Sequence, residues 1–128
     1  MKGYILDTNA LLRYFNDDIP AQTQEVKKIV ISAKLGEASL VIPSPVLIET
    51  VYVLEKFYHN SRQSIYNSFM MLLKTSYIVI HENMVFIPAF NLYLNSNLSI
   101  TDAYLISYSR YHHVTLLTFD RKLKHHIL

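Results

Sequence analysis

The sequence predicts an α/β protein: a mainly parallel sheet with helices on both faces. Two observations carry the prediction. Four short apolar runs with strand character, residues 2–6, 40–42, 77–80 and 114–118, alternate with helical patterns along the whole chain. No linker, internal repeat or low-complexity tract interrupts the alternation, and 128 residues suit one domain.

The first run, ending Tyr4-Ile5-Leu6, reads as a buried strand and stops abruptly at Asp7-Thr8-Asn9. A short helix follows over residues 9–15. Pro20 suits the first position of a second helix, in which Val26, Ile29, Val30 and Ala33 recur at three- and four-residue steps, and Gly36 is its expected cap. After the second strand, Ser44 and Pro45 read as N-cap and first turn of a helix reaching about Tyr58. That helix is apolar around nearly its whole circumference, so it is expected to be buried on more than one side or to dock a partner. A helix over 62–74 leads to the third strand. The next pattern, over 84–94, holds Pro88, which predicts a kink or a late start. A helix over 99–111, the fourth strand and a short helix over 121–126 complete the chain.

Composition narrows the setting. Hydrophobic residues make up 51%, so disorder is not expected, and a chain this long buries about two-thirds of its unfolded surface. The absence of cysteine removes disulfides and thiolate metal sites, which fits a reducing cytoplasm. No apolar run reaches the roughly 18 residues of a membrane span, and Asp7 interrupts the first one before it resembles a secretory signal. The expected localisation is cytoplasmic, with no membrane partner. Net charge is only +2, yet from Arg110 to His126 the single acid is Asp120, amid Arg110, Arg121, Lys122, Lys124 and four histidines. Such a field suits a phosphate-rich partner, or is simply a solvated helix.

Of ten acids, Asp7, Glu49, Asp102 and Asp120 fall at or near strand ends and helix starts, where an open α/β sheet forms its ligand crevice. Each has a structural alternative. Asp7 and Asp120 are plausible helix caps. Ser99-Ile100-Thr101-Asp102 matches a capping box. Glu49 is compatible with the edge of an apolar stripe, reaching water. Taken together, four carboxylates in one crevice would repel one another unless a divalent cation neutralised them. Hard oxygen ligands of this kind suit Mg²⁺ or Mn²⁺. A carboxylate-held ion acidifies water and stabilises phosphoryl charge, the chemistry of phosphodiester hydrolysis.

Four segments carry a resemblance: Ile5-Leu6-Asp7-Thr8-Asn9, Glu49 within Val46-Leu47-Ile48-Glu49-Thr50-Val51-Tyr52, Thr101-Asp102-Ala103, and Leu117-Thr118-Phe119-Asp120-Arg121. In order and at suitable spacing, they resemble the PIN-domain ribonucleases, and among those the VapC-type toxins of toxin–antitoxin pairs. The resemblance implies a PIN-like three-layer fold with a four- to five-stranded sheet. It implies catalysis and metal binding by Asp7, Glu49, Asp102 and Asp120, with Asn9 and Thr118 orienting carboxylates and waters. The implied substrate is RNA, cut to leave a 3′-hydroxyl and a 5′-phosphate. The implied partners are a second copy in a homodimer and a small antitoxin protein. Many members of that family continue past Thr-Phe-Asp into a fifth strand; only residues 125–128 remain for it here, so that strand is expected to be short or absent.

Arg13, Arg110, Arg121 and Lys122 are candidate RNA contacts through phosphate. Some of the ten tyrosines suit stacking on bases, though core edges or interfaces such as Tyr52 are the commoner use. The paired histidines lack metal-ligand spacing on a helix face. Two other readings stand beside the nuclease. One is a catalytically silent module binding RNA or protein through the apolar helix. The other, disfavoured because the acids and lysine of that class are missing at the third and last strands, is a receiver-like phosphoacceptor domain.

Overall fold

Strand β1 (Lys2–Ile5) lies parallel to β2 (Ala38–Val41), in a register that sets Lys2 beside Ala38 and Ile5 beside Val41. The computed structural model describes residues 1–127. A parallel pair needs a crossover, and α1 (Thr8–Phe15) and α2 (Pro20–Lys34) supply it. As expected, Pro20 opens α2, and Gly36 follows its end in the left-handed region at φ 77°. Helix α3 (Ser44–Lys56) starts one residue earlier than the sequence suggested, because Pro43 takes the N-cap position and Ser44 is already helical. Helix α4 (Arg62–Leu73) is capped by Ser61, whose Oγ accepts from the Ser64 amide at 3.1 Å.

Chain contacts divide the molecule into two compact units, Met1–His81 and Glu82–Leu128. In the first, Leu11, Leu40, Ile42, Leu47, Val51 and Phe69 are completely enclosed, and the Phe15 and Phe69 rings meet at 5.2 Å. Helix α3 buries Leu47, Thr50, Val51 and Leu54 and leaves Tyr52 54% exposed, so it is covered on one side only.

The second unit is helical. Helix α5 (Asn83–Leu94) packs on α6 (Ile100–His112), and the two are tied where Ser107 Oγ donates to the Val85 carbonyl at 2.6 Å. Helix α7 (Arg121–Ile127) drops Leu123 into a cluster with Leu98 and Ile106, against which Leu116 packs. Helix α5 begins at Asn83 and runs unbroken through Pro88, so the late start anticipated there does not occur. Pro88 is exposed, so its ring adds nothing to the buried face of the helix.

The sheet is smaller than the four to five strands expected. Among the described residues it has two strands, β1 and β2. The third run contributes one parallel bridge, Val41 to Val79, with the Ile42 amide donating to Val79 O and the Val79 amide to Leu40 O. Residues 114–118 form no strand. The turn before them is fixed locally instead, by the Val114 amide donating to Ser109 O and Ser109 Oγ donating to Val114 O. Nor is the first run buried throughout: Leu6 is enclosed but Ile5 is 70% exposed.

Candidate active site

Two of the four acids belong to the first unit. Asp7 follows β1 and is the N-cap of α1: its Oδ1 accepts from the Ala10 amide at 2.8 Å. One carboxylate oxygen meets the cap, and the other is left over. Because β1 and β2 are parallel, Asp7 and the start of α3 lie at the same end of the strand pair, and α1 packs against α3. Glu49 sits in the second turn of α3, exposed, with no hydrogen bond or ion pair among the described residues.

The other two belong to the second unit. Asp102 lies in the first turn of α6 and its amide donates to Ser99 Oγ at 3.1 Å. The reciprocal bond of a capping box, from the Ser99 amide to the Asp102 carboxylate, is not made among the described residues. The half-buried carboxylate of Asp102 therefore has no structural partner there. Asp120 precedes α7 and its Oδ1 accepts from two amides, Lys122 at 2.8 Å and Leu123 at 3.2 Å. Thr118 shapes this turn, its Oγ1 accepting from the Asp120 amide at 3.1 Å.

The capping and ligand roles read from the sequence are thus compatible rather than exclusive. Asp7 and Asp120 each spend one oxygen on a helix end, which fixes the carboxylate and leaves its second oxygen for another partner. Asp102 and Glu49 keep both. A donor set made only of carboxylate oxygens fits a hard divalent cation. Among the described residues, no group of three or more acidic or histidine side chains stands close enough to hold an ion.

Asn9 lines a hollow of about 360 Å³ beside Asp7, together with Arg13, Gln22 and Glu25. The sequence reading did not single out Gln22 and Glu25. Their three-residue step on the polar side of α2 was the available signal. The four basic candidates differ. Arg13 is braced within the chain, its Nε donating to Gln22 Oε1 at 2.9 Å and Nη1 meeting Asp18 Oδ1 at 3.3 Å. Tyr58 holds Asp18 in turn through a 2.9 Å hydrogen bond. Arg110 donates to the His126 carbonyl at 3.1 Å and Lys122 to the Asn97 carbonyl at 2.8 Å. Arg121 alone of the four is exposed with no such bond among the described residues.

A second acid pair went unread. Tyr104 on α6 donates its hydroxyl between both oxygens of Glu82, at 2.8 Å each. Burial, then the hydrogen bond and charge of Glu82, push the Tyr104 phenol well above its ordinary value.

A parallel strand pair with Asp7 just past β1 makes the first unit α/β, and Asp102 and Asp120 stand at helix starts in the second. The family follows from sequence comparison: the PIN domain family model matches residues 4–126, and the chain belongs to that family. PIN domains are commonly nucleases, a hydrolase class. No curated protein and no solved structure matches the chain. No helix among the described residues is long and apolar enough to cross a membrane.

Proposed function

We propose that this PIN domain is a Mg²⁺- or Mn²⁺-dependent endoribonuclease and the toxin of a toxin–antitoxin pair, working as a homodimer and held in check by a small antitoxin protein. The observation that carries the reading is the state of the four family-pattern acids. Asp7, Glu49, Asp102 and Asp120 each keep at least one carboxylate oxygen outside the chain's own hydrogen bonds. In this reading the chain is a single PIN domain and all four acids are catalytic metal ligands, as the family match over residues 4–126 supports. These carboxylates would hold the ion, which when bound would acidify a water and offset charge on the phosphoryl oxygens. The helix-cap bonds of Asp7 and Asp120 restrict those carboxylates before substrate arrives, so less ordering remains for the reaction. Thr118 holds the Asp120 turn, and Asn9 stands beside Asp7 to orient water. Arg121 is the first choice for a phosphate contact, with Arg13, Arg110 and Lys122 contributing the donors their internal bonds leave.

The test is cleavage of single-stranded RNA by the purified full chain, with Mn²⁺ and with EDTA. Cleavage is expected only with metal, and Asp7→Asn is expected to reduce it at least a hundredfold, a loss on the order seen when a catalytic group is removed. Equal activity in a folded Asp7→Asn protein would refute the reading. The silent-module alternative keeps one observation in its favour, that no three such groups gather among the described residues. Titration calorimetry with Mn²⁺ decides it, because a silent module predicts no binding heat.

A further inference from the structure

One face of α6 carries aromatic rings at helical spacing: Tyr104, Tyr108, Tyr111 and His112. Ring centroids lie 5.9 Å apart for Tyr104 and Tyr108, 4.2 Å for Tyr108 and His112, and 5.0 Å for Tyr111 and His112, whose planes are only 16° apart. The inner end of the row has a structural explanation. Tyr104 packs on Phe86 at 5.0 Å and grips Glu82. The outer end has none. Tyr108 and Tyr111 are 38% and 46% exposed, and His112 is exposed beside them.

Two further observations single out a ligand for that outer end. A hollow of about 360 Å³ opens between α5 and α6 next to Tyr111, walled by Met84, Pro88 and Leu92 and edged by Arg110. That volume lies at the low end of small-ligand pockets, roughly 300–1,000 Å³. The bond from Arg110 to the His126 carbonyl holds the guanidinium in place while leaving the rest of its fork free. Charge toward the C-terminal end of α6 is mainly positive: Arg121, Lys122 and Lys124 follow on α7, which packs on α6, Asp120 is the only acid from 110 to 126, and Glu82 is engaged by Tyr104 at the other end of the row. A second copy of this face would bring like charge against like. A polyanion with flat apolar groups suits it.

We propose that Tyr111, His112 and the adjoining hollow form a stacking subsite for the unpaired bases of single-stranded RNA, with Arg110 meeting a phosphate. The identity of the ligand as RNA rests on the nuclease reading above and narrows it to single strands. Every base offers a π-face, so stacking tolerates sequence, whereas bases inside a duplex offer no free face.

The test is fluorescence anisotropy of a short labelled RNA with the full chain in EDTA, where binding is read without cleavage. Single-stranded RNA is expected to bind more tightly than the same sequence as a duplex. Tyr111→Ala is expected to weaken it about tenfold, within the range of base–aromatic stacking, and Tyr111→Phe to restore it. Unchanged affinity in folded Tyr111→Ala, or equal affinity for duplex, overturns the subsite. So does a Tyr111→Ala protein whose sedimentation shows loss of a dimer, since the face then serves a second copy. The two proposals fail separately. Binding through Tyr111 without any metal-dependent cleavage supports the subsite and removes the nuclease. Metal-dependent cleavage with an unaltered KM in Tyr111→Ala does the reverse.

Discussion

Asp7 caps a helix and, in the proposed function, also holds the catalytic ion, and substitutions separate the two. Asparagine caps helices as well as aspartate does, so Asp7→Asn should leave stability within about 0.5 kcal/mol of wild type, while Asp7→Ala should lose about 1 kcal/mol with the Ala10 bond. Both should abolish metal-dependent cleavage. Urea unfolding beside an RNA cleavage assay reads the two effects, and an active Asp7→Asn protein would leave the cap as the residue's whole purpose. Sequence alone could not rank the acids, because a cap and a ligand call for the same residue at the same junction. For Asp102 the sequence pointed toward a capping box, and only the geometry shows the box half made. Tyr104 adds a pH dependence that no motif announced. Folding raises its phenol above the ordinary 10.0, so the native state favours the neutral form. That contribution is complete below pH 10 and is lost as pH rises toward the folded value. Tyr14, raised by burial and by Tyr77, acts in the same direction. Urea midpoints measured from pH 8 to pH 11 should fall at the alkaline end, and Tyr104→Phe should flatten that fall.

Among the elements, the helices were legible because their signals are local. Ser99 caps where the sequence placed it, Pro20 opens α2, and Gly36 closes it. The strands were less legible. Their hydrogen bonds come from distant partners, and an apolar run records only a preference to be half-buried. Leu40 and Val41 found β1 as a neighbour within a strand that begins at Ala38, residues 77–80 kept a single bridge, and residues 114–118 spent Val114 on a helix-end turn and Leu116 on the α6–α7 cluster. The α6 terminus shows a further choice hidden from sequence, since His113 takes the left-handed position at φ 55° that glycine fills after α2. Opposite substitutions there should have opposite effects. Gly36→Ala should destabilise by about 1 kcal/mol through backbone strain alone, because a Cβ at Gly36 meets no atom within 4 Å. His113→Gly should gain up to about 1 kcal/mol, reduced by the entropy glycine adds to the unfolded chain. Thermal melts of both variants check the signs, and a destabilised His113→Gly would show that the side chain's contacts outweigh its strain.

At the scale of the whole chain, the family match spans both compact units, and the proposed function calls for a bound divalent ion. That requirement has a thermodynamic consequence independent of catalysis. An ion that binds only the folded protein stabilises it by mass action, about 2.7 kcal/mol at a hundred times its dissociation constant. For a chain of this length that amounts to roughly 10 °C in Tm. Mn²⁺ should therefore raise the melting temperature of the wild type, and EDTA should return it. If Asp7 and Glu49, both in the first unit, hold the same ion, either Asp7→Asn or Glu49→Gln should remove most of the shift, and the double variant should lose little more. Acids acting at separate sites would instead give additive losses, as substitutions without shared partners do. The double-mutant cycle thus tests the proposed nuclease on the folded protein, and additive losses would leave Asp7 and Glu49 as unrelated positions, one a helix cap and the other a residue of α3.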